Sequence, residues 1–238
     1  MRRTPLLLAA AASASLLLAG CGAATSDAAP EVAPAAATQD APALADGLLP
    51  AEQFAPGSTV TGVTADDLAG ALGAAAGHDP GQVTITPSTC TDALDAARAA
   101  LGDPADVDDA AGQYAQVGFG GTAELLSTGG PAPTAVGTLA DAVAACPTAT
   151  LATDRGQAVV TFGAVTRPDL GDDAVVVPVS VTLSGGPVSG GSALLGLVSD
   201  GDRLLALATG AVGTTVPDQA AFEALLAGAQ QHAADTLG

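Results

Sequence analysis

The second half of the chain alternates short apolar runs with clusters of turn residues, which is typical of β-strands. Turn clusters such as Gly185-Gly186-Pro187 bound these runs. Val175, Val177, Val179, Val181 and Leu183 alternate with more polar neighbours, which predicts a half-buried strand. Pro178 on its other face predicts a sheet edge or a bulge. The predicted strands cover residues 157–165, 174–184, 188–199 and 203–209.

Helical patterns occur in both halves of the chain. Thr64-Ala65-Asp66-Asp67 has the form of a capping box and predicts a helix to about Ala76. Further helices are predicted from Ser88 or Thr89 through Leu101 and from Ala135 to Cys146, with short strands over 83–86 and 113–120. A last helix, capped by Asp218, carries an apolar stripe of Phe222, Leu225, Leu226, Ala229 and Ala233. We therefore predict an α+β domain, a mainly antiparallel sheet with helices packed on one side.

The first 20 residues have the pattern of an export signal. Arg2 and Arg3 precede an apolar run, Pro5 to Leu18, that is too short for a spanning helix of about 20 residues. Leu18-Ala19-Gly20-Cys21 resembles the lipobox of bacterial lipoproteins. We therefore predict that Cys21 becomes the N-terminus and carries a diacylglyceryl group and palmitate. The domain is then expected on the extracytoplasmic face of the cell membrane, held by this lipid anchor.

Residues 21–47 are rich in Ala, Pro, Thr and Asp and lack apolar periodicity, which predicts a disordered tether. Leu48-Leu49-Pro50 and Phe54 mark the predicted start of the folded part. The sequence thus predicts a signal peptide over 1–20, a lipidated tether over 21–47 and a single domain over 48–238. A domain of that size can bury a substantial core.

Composition narrows the range of partners. The formal net charge of −19 makes nucleic acid a poor partner. With no Trp, one Tyr and four Phe, the core must be aliphatic and a sugar-stacking surface is not expected. If the strand from Val175 to Leu183 and the helix with Phe222, Leu225 and Leu226 enclose a cavity, its walls would favour a lipid-like ligand over a sugar.

Lipidation of Cys21 leaves Cys90 and Cys146 as a pair in a compartment that permits disulfides. We predict that they form a disulfide. A redox or metal role would need a Cys-x-x-Cys or a histidine nearby.

Three other features could carry chemistry, and each has a simpler interpretation. Residues 118–123 fit the G-x-G-x-x-A phosphate pattern but are interpreted as a glycine-rich strand end. His78 and His232 are interpreted as surface residues. A cluster of acids could bind calcium but lacks the spacing of a calcium loop, so a solvated acidic loop is favoured; it contains Asp103, Asp106, Asp108 and Asp109. The sequence therefore predicts no catalytic residue, no metal site and no cofactor.

The features in order resemble a known class of protein. A lipobox, an Ala/Pro tether, the Pro87-Ser88-Thr89-Cys90 helix entry, a strand with Tyr114 and a helix closed by Cys146 are similar to mycobacterial-type envelope lipoproteins of unknown function. Those are similar in turn to the extracellular sensor domain of actinobacterial serine/threonine kinases, which has further cysteines that this chain lacks. The resemblance implies an α+β ligand-binding or sensing domain without established enzymatic activity.

Two other functions stay open at this point. An envelope hydrolase would need a histidine within reach of a serine and an aspartate in one cleft. A structural or chaperone-like envelope protein would need neither a cleft nor an apolar cavity. The expected partners of the binding domain are the membrane, through the anchor, and a small apolar ligand or another envelope protein.

Overall fold

The computed structural model describes residues 43–63, 83–100, 109–129, 132–153, 156–184 and 190–238. The described helices are α1 (Thr89–Ala100), α2 (Ala132–Ala145) and α3 (Gln219–Leu237). The described strands are β1 (Thr59–Val63), β2 (Thr84–Thr86), β3 (Asp109–Val117), β4 (Gly120–Thr128), β5 (Thr148–Thr153), β6 (Gly156–Phe162), β7 (Asp173–Ser184), β8 (Gly190–Asp200) and β9 (Arg203–Val212). The helix predicted over residues 64–76 lies outside the described residues.

The strands form one sheet in the order β1-β3-β4-β9-β8-β7-β6-β5-β2, and every neighbouring pair is antiparallel. Four of the eight neighbouring pairs, β3–β4, β5–β6, β7–β8 and β8–β9, are consecutive strands separated by two to five residues. The predicted α+β class with a mainly antiparallel sheet is confirmed.

One face of the sheet packs against α3, and we call it the α3 face. Val176, Leu194 and Val198 project from β7 and β8 toward Phe222 and Leu226 of the helix, all nearly or completely buried. Asp218 caps the helix as predicted, since its carboxylate accepts a hydrogen bond of 2.8 Å from the Ala221 N–H.

The other face packs against α2, and we call it the α2 face. Val175, Val177 and Leu197 contact Val136 and Val143 of that helix. The prediction that helices cover only one side of the sheet was therefore wrong. The physical reason for helices on both faces is seen in β7, where three consecutive valines at 175–177 are fully buried. Successive strand residues point to opposite faces, so such a run requires cover on both.

The same alternation corrects the predicted wall of a ligand cavity. Val175 and Val177 face α2, not the helix that carries Phe222, and only Val176 among these three valines points to α3. The gap between the sheet and α3 is closed at Gly196. A Cβ atom added there would lie 2.8 Å from Leu226 Cδ2 and 3.1 Å from Phe222 Cε1. No ligand fits between the sheet and α3 at that point.

Pro178 lies inside the sheet, not at its edge as one alternative predicted. β7 pairs along its length with β8, and its ladder with β6 ends at Val179, which faces Phe162. The Pro178 carbonyl accepts a hydrogen bond of 2.7 Å from the Gly163 N–H on that side. Proline has no backbone N–H to donate. Because Pro178 lies where the ladder between β6 and β7 ends, few hydrogen bonds of the sheet are lost there.

The chain before β1 is part of the core. Leu44–Gly47, assigned to the tether from the sequence, forms a short 3₁₀-helix with Leu44 and Gly47 buried. A Cβ atom added at Gly47 would come within 3.0 Å of Leu126 and closer still to Leu237 of α3. Leu49 and Phe54 are buried further along. The N-terminal segment, Leu44 to Phe54, therefore closes the α3 face.

Candidate functional site

Six large hydrophobic side chains are exposed in the described part of the chain; five lie at or near one end of the sheet, and the sixth, Val216, lies in the loop that follows β9. This end of the sheet is where β3 turns into β4, where β7 finishes and β9 passes into the following loop. We call this group the apolar end; its members are Tyr114, Val117, Phe119, Leu183, Val212 and Val216. An exposed apolar patch rimmed by polar residues is typical of an interaction site.

The β3–β4 hairpin projects a single aromatic ring. Val117 pairs with Gly120, so the connection has two residues, Gly118 and Phe119. Gly118 has φ 56°, the left-handed conformation that such tight hairpins need. Phe119 is 92% exposed, while its carbonyl accepts a hydrogen bond of 3.3 Å from the Val212 N–H. The backbone of the turn is thus tied to β9 while the ring stands in solvent.

Tyr114 lies flat over the strand beside it. It projects from the α2 face of β3, and any Cβ atom at Gly121 would collide with its ring. The glycine is therefore required by a close side-chain approach. On the opposite face, Thr122 and Thr209 join β4 to β9 through a side-chain hydrogen bond of 2.9 Å. These contacts fix the base of the hairpin.

Charge is absent from the strand residues that build the apolar end. The stretches 110–123, 174–199 and 204–217 contain no Asp, Glu, Lys, Arg or His, in a chain with a formal net charge of −19. The opposite ends of β7, β8 and β9 carry ion pairs, Arg167 with Asp173 at 3.0 Å and Arg203 with Asp200 at 3.2 Å. The charged residues of β7, β8 and β9 therefore lie at one end of these strands, and the uncharged stretches run to the other end.

A buried polar cluster joins the N-terminal segment to the sheet. Glu124 is 2% exposed, and both of its carboxylate oxygens accept from the Leu49 N–H at 3.2 Å. Gln113 Nε2 donates to Glu124 Oε2 at 2.6 Å and to the Leu49 carbonyl at 2.7 Å. Burial raises the pKa of the Glu124 carboxyl above its usual value, against the opposing effects of Gln113, Leu49 and His232. We call this group the Glu124 cluster.

His232 lies half-buried on α3, rather than on the open surface that the sequence suggested. Its charge lowers the pKa of Glu124, so it belongs to the electrostatic surroundings of that cluster. Among the described residues, no serine or aspartate forms a hydrogen bond with His232. His78 lies outside the part of the chain that the structure describes.

The disulfide between Cys90 and Cys146 is present, with the two Cα atoms 5.1 Å apart. It links the start of α1 to the residue after α2, and both cysteines are 1% exposed. Ala149 of β5 completes the cluster around them. The bond therefore holds α1 to α2 next to β5, the neighbour of the edge strand β2.

The remaining predicted features lie only partly within the described residues. Residues 118–123 form the hairpin and the start of β4, not a strand-to-helix phosphate loop, which agrees with the simpler interpretation of a glycine-rich strand end. Asp109 begins β3, and the other three acids of its cluster fall outside the described residues, as does Cys21. Within the described ranges, no three His, Cys, Asp or Glu side chains come close enough to hold a metal ion.

Two further observations on the described residues concern a small cavity and the question of a membrane-spanning helix. A recess between β8, β9 and α3 has room for about one water molecule and is lined in part by Asp200, Arg203 and Gln230. None of the helices described is both long enough and apolar enough to cross a bilayer.

The chain matches no known protein family and no curated protein. Its fold is similar to that of the extracellular domain of PknH from Mycobacterium tuberculosis, at 14% identity and a TM-score of 0.47, over 74% of this chain and 83% of that one. It is also similar to an uncharacterized protein from Mycobacterium smegmatis, the Rv0999 ortholog, at 16% identity and a TM-score of 0.47, over 82% and 98% of the two chains. Both of these solved structures are of mycobacterial proteins.

Sequence reasoning missed the two most distinctive residues of this region. Phe119 is a variable position of the glycine pattern at 118–123, and the glycine before it is the readable signal for a tight hairpin turn. Glu124 carried no recognisable motif, because its partner Leu49 is 75 residues away and is bonded through its backbone. The long uncharged stretches in an acidic chain were a readable signal for an apolar surface.

Proposed function

We propose that this chain is a lipid-anchored, extracytoplasmic binding or sensing domain without catalytic activity, and that the apolar end is its contact surface. The lipobox pattern ending at Cys21 supports the anchor, and the exposure of Phe119 supports the contact surface. Exposing such a ring to water is unfavourable by about 1.5–3 kcal/mol relative to burial. A contact that buries it would recover this free energy.

The single observation that carries the proposal is the segregation of exposed hydrophobics and charges to opposite ends of the strands. Six exposed apolar side chains, which lie within the uncharged stretches 110–123, 174–199 and 204–217, offer area for binding and no acid or base for catalysis. The proposed ligand class is correspondingly apolar: a lipid-like molecule or an apolar patch on another envelope protein.

Thiol labelling of intact cells tests location and contact together. The proposal leaves the wild-type chain without a reactive thiol, because Cys21 is acylated and Cys90 is bonded to Cys146. Phe119→Cys and the matched control Ala144→Cys, at an exposed position of α2, each add one. A membrane-impermeant maleimide should label position 144 on intact cells and label position 119 about tenfold more slowly. After detergent extraction both should react equally.

Different failures of this experiment have different meanings. Absence of labelling at position 144 on intact cells would contradict the extracytoplasmic location. Equal labelling of both positions on intact cells would contradict a contact at the apolar end. Mass spectrometry of the mature N-terminal peptide checks the anchor separately, since an unmodified Cys21 would rule it out.

A further inference from the structure

We propose that the partner of the apolar end is the lipid bilayer itself, and that Phe119 inserts into the membrane that carries the anchor. The inference rests on the proposed function, because it takes the lipid anchor on Cys21 as given. It adds a second, reversible attachment that would hold the domain against the bilayer in one orientation.

The shape and chemistry of the hairpin suit a bilayer surface. Phe119 projects at 92% exposure from a two-residue turn, and Val212, whose N–H bonds to the Phe119 carbonyl, is 54% exposed beside it. Aromatic and aliphatic side chains enter the boundary between headgroups and acyl chains to a depth of about 5–10 Å. The exposed neighbours Gln116 and Thr214 are polar and uncharged, as hydrogen-bonding partners of headgroups can be.

The distribution of charge selects which end can approach a membrane. Bacterial envelopes carry anionic lipids, which repel a chain with a formal net charge of −19. Asp173 and Asp200 lie at the other end of β7 and β8, and Asp172, the residue before β7, accepts a hydrogen bond of 2.8 Å from the Gly201 N–H there. The described strand residues of the apolar end include no acid to be repelled and no base to be attracted, so apolar insertion is the interaction that these strands can offer.

The length of chain outside the fold permits this orientation. The 22 residue steps from Cys21 to Ala43 allow these two residues to lie at most about 75 Å apart. The folded chain begins beside Leu126, six residues along β4 from the hairpin, which corresponds to about 20 Å. A lipid on Cys21 and the ring of Phe119 can therefore reach the same bilayer.

The absence of tryptophan from the chain makes a direct test possible. The full-length lipidated protein is prepared with Phe119→Trp as the sole tryptophan, and with Ala144→Trp as the matched control. Each is reconstituted into vesicles of phosphatidylethanolamine and phosphatidylglycerol with or without brominated acyl chains. We expect the bromolipid to quench the emission at position 119 by about twofold or more and to shift it to the blue, with no change at position 144.

Each outcome supports or overturns the inference. Equal, weak quenching at both positions in vesicle-bound protein would overturn membrane insertion and leave the anchor intact. A blue shift at position 119 that depends on protein concentration and is insensitive to bromolipid would show self-association through the apolar end, which also overturns it. Failure of the wild-type protein to float with vesicles would be a failure of the proposed lipid anchor instead.

Discussion

Replacing both Cys90 and Cys146 with alanine is expected to lower the free energy of unfolding by about 4 kcal/mol. The bond closes a loop with a sequence separation of 56 residues, so its loss restores much conformational freedom to the unfolded chain. It also removes the covalent link between α1 and α2. Urea unfolding monitored by circular dichroism measures the change.

Reduction of the wild-type protein provides the matched control for this prediction. A reductant should lower wild-type stability to that of the double variant and should leave the double variant unchanged. A double variant within about 1 kcal/mol of wild type would contradict the prediction. So would a reductant effect of equal size on both proteins.

The second large effect is expected at Glu124. Glu124→Ala leaves the Leu49 N–H and an N–H of the Gln113 amide without their acceptor in a buried site, which we expect to cost about 2–4 kcal/mol. Glu124→Gln retains one acceptor oxygen and should cost less. Glu52→Ala, at an exposed position of the same N-terminal segment, should change stability little. Denaturant unfolding of the three variants checks this order of stability losses.

Glu124 also predicts the direction in which the free energy of unfolding changes with pH. Burial raises the pKa of Glu124 in the folded state above its value in the unfolded state, so the folded state binds this proton more tightly. The cost of the buried charge is fully present above the folded pKa. This cost disappears as the pH falls from the pKa of Glu124 in the folded state toward its pKa in the unfolded state, because the carboxyl becomes protonated and neutral. Wild type should therefore gain stability relative to Glu124→Gln over that range.

A stability difference between wild type and Glu124→Gln that is independent of pH would contradict this assignment. Comparison of the two proteins cancels the contribution of the other carboxylates, which titrate in both.

Local patterns were sufficient to predict the elements that are regular and strongly apolar. β7, with its run of valines, and α3, with its Asp218 cap and apolar stripe, agree with prediction to within about two residues at most ends. β1, β4 and β5 were not predicted. They contain glycine and alanine at positions such as Gly62, Gly121 and Ala149, which have low intrinsic strand propensity and depend on their neighbours.

The tertiary features were harder to read because they depend on distant contacts. Cover on both faces of the sheet follows from three consecutive buried valines, but the sequence does not show which helix covers which face. The cysteine pairing could be predicted by elimination, since lipidation of Cys21 leaves only two thiols. The Glu124 cluster could not, because hydrogen bonds from a backbone amide and an ordinary glutamine leave no motif.

Binding to envelopes tests the central claim most directly, because it measures the apolar end without the anchor. The mature chain carrying Cys21→Ser, exported behind an ordinary signal peptide, is titrated against envelopes from cells that lack the protein, and binding is followed by sedimentation. Phe119→Asp places a charge at the apolar end, and Ala144→Asp places the same charge on α2. We predict saturable binding that Phe119→Asp weakens about tenfold or more and Ala144→Asp leaves unchanged. Equal binding by the two aspartate variants would contradict the claim that the apolar end is the contact surface.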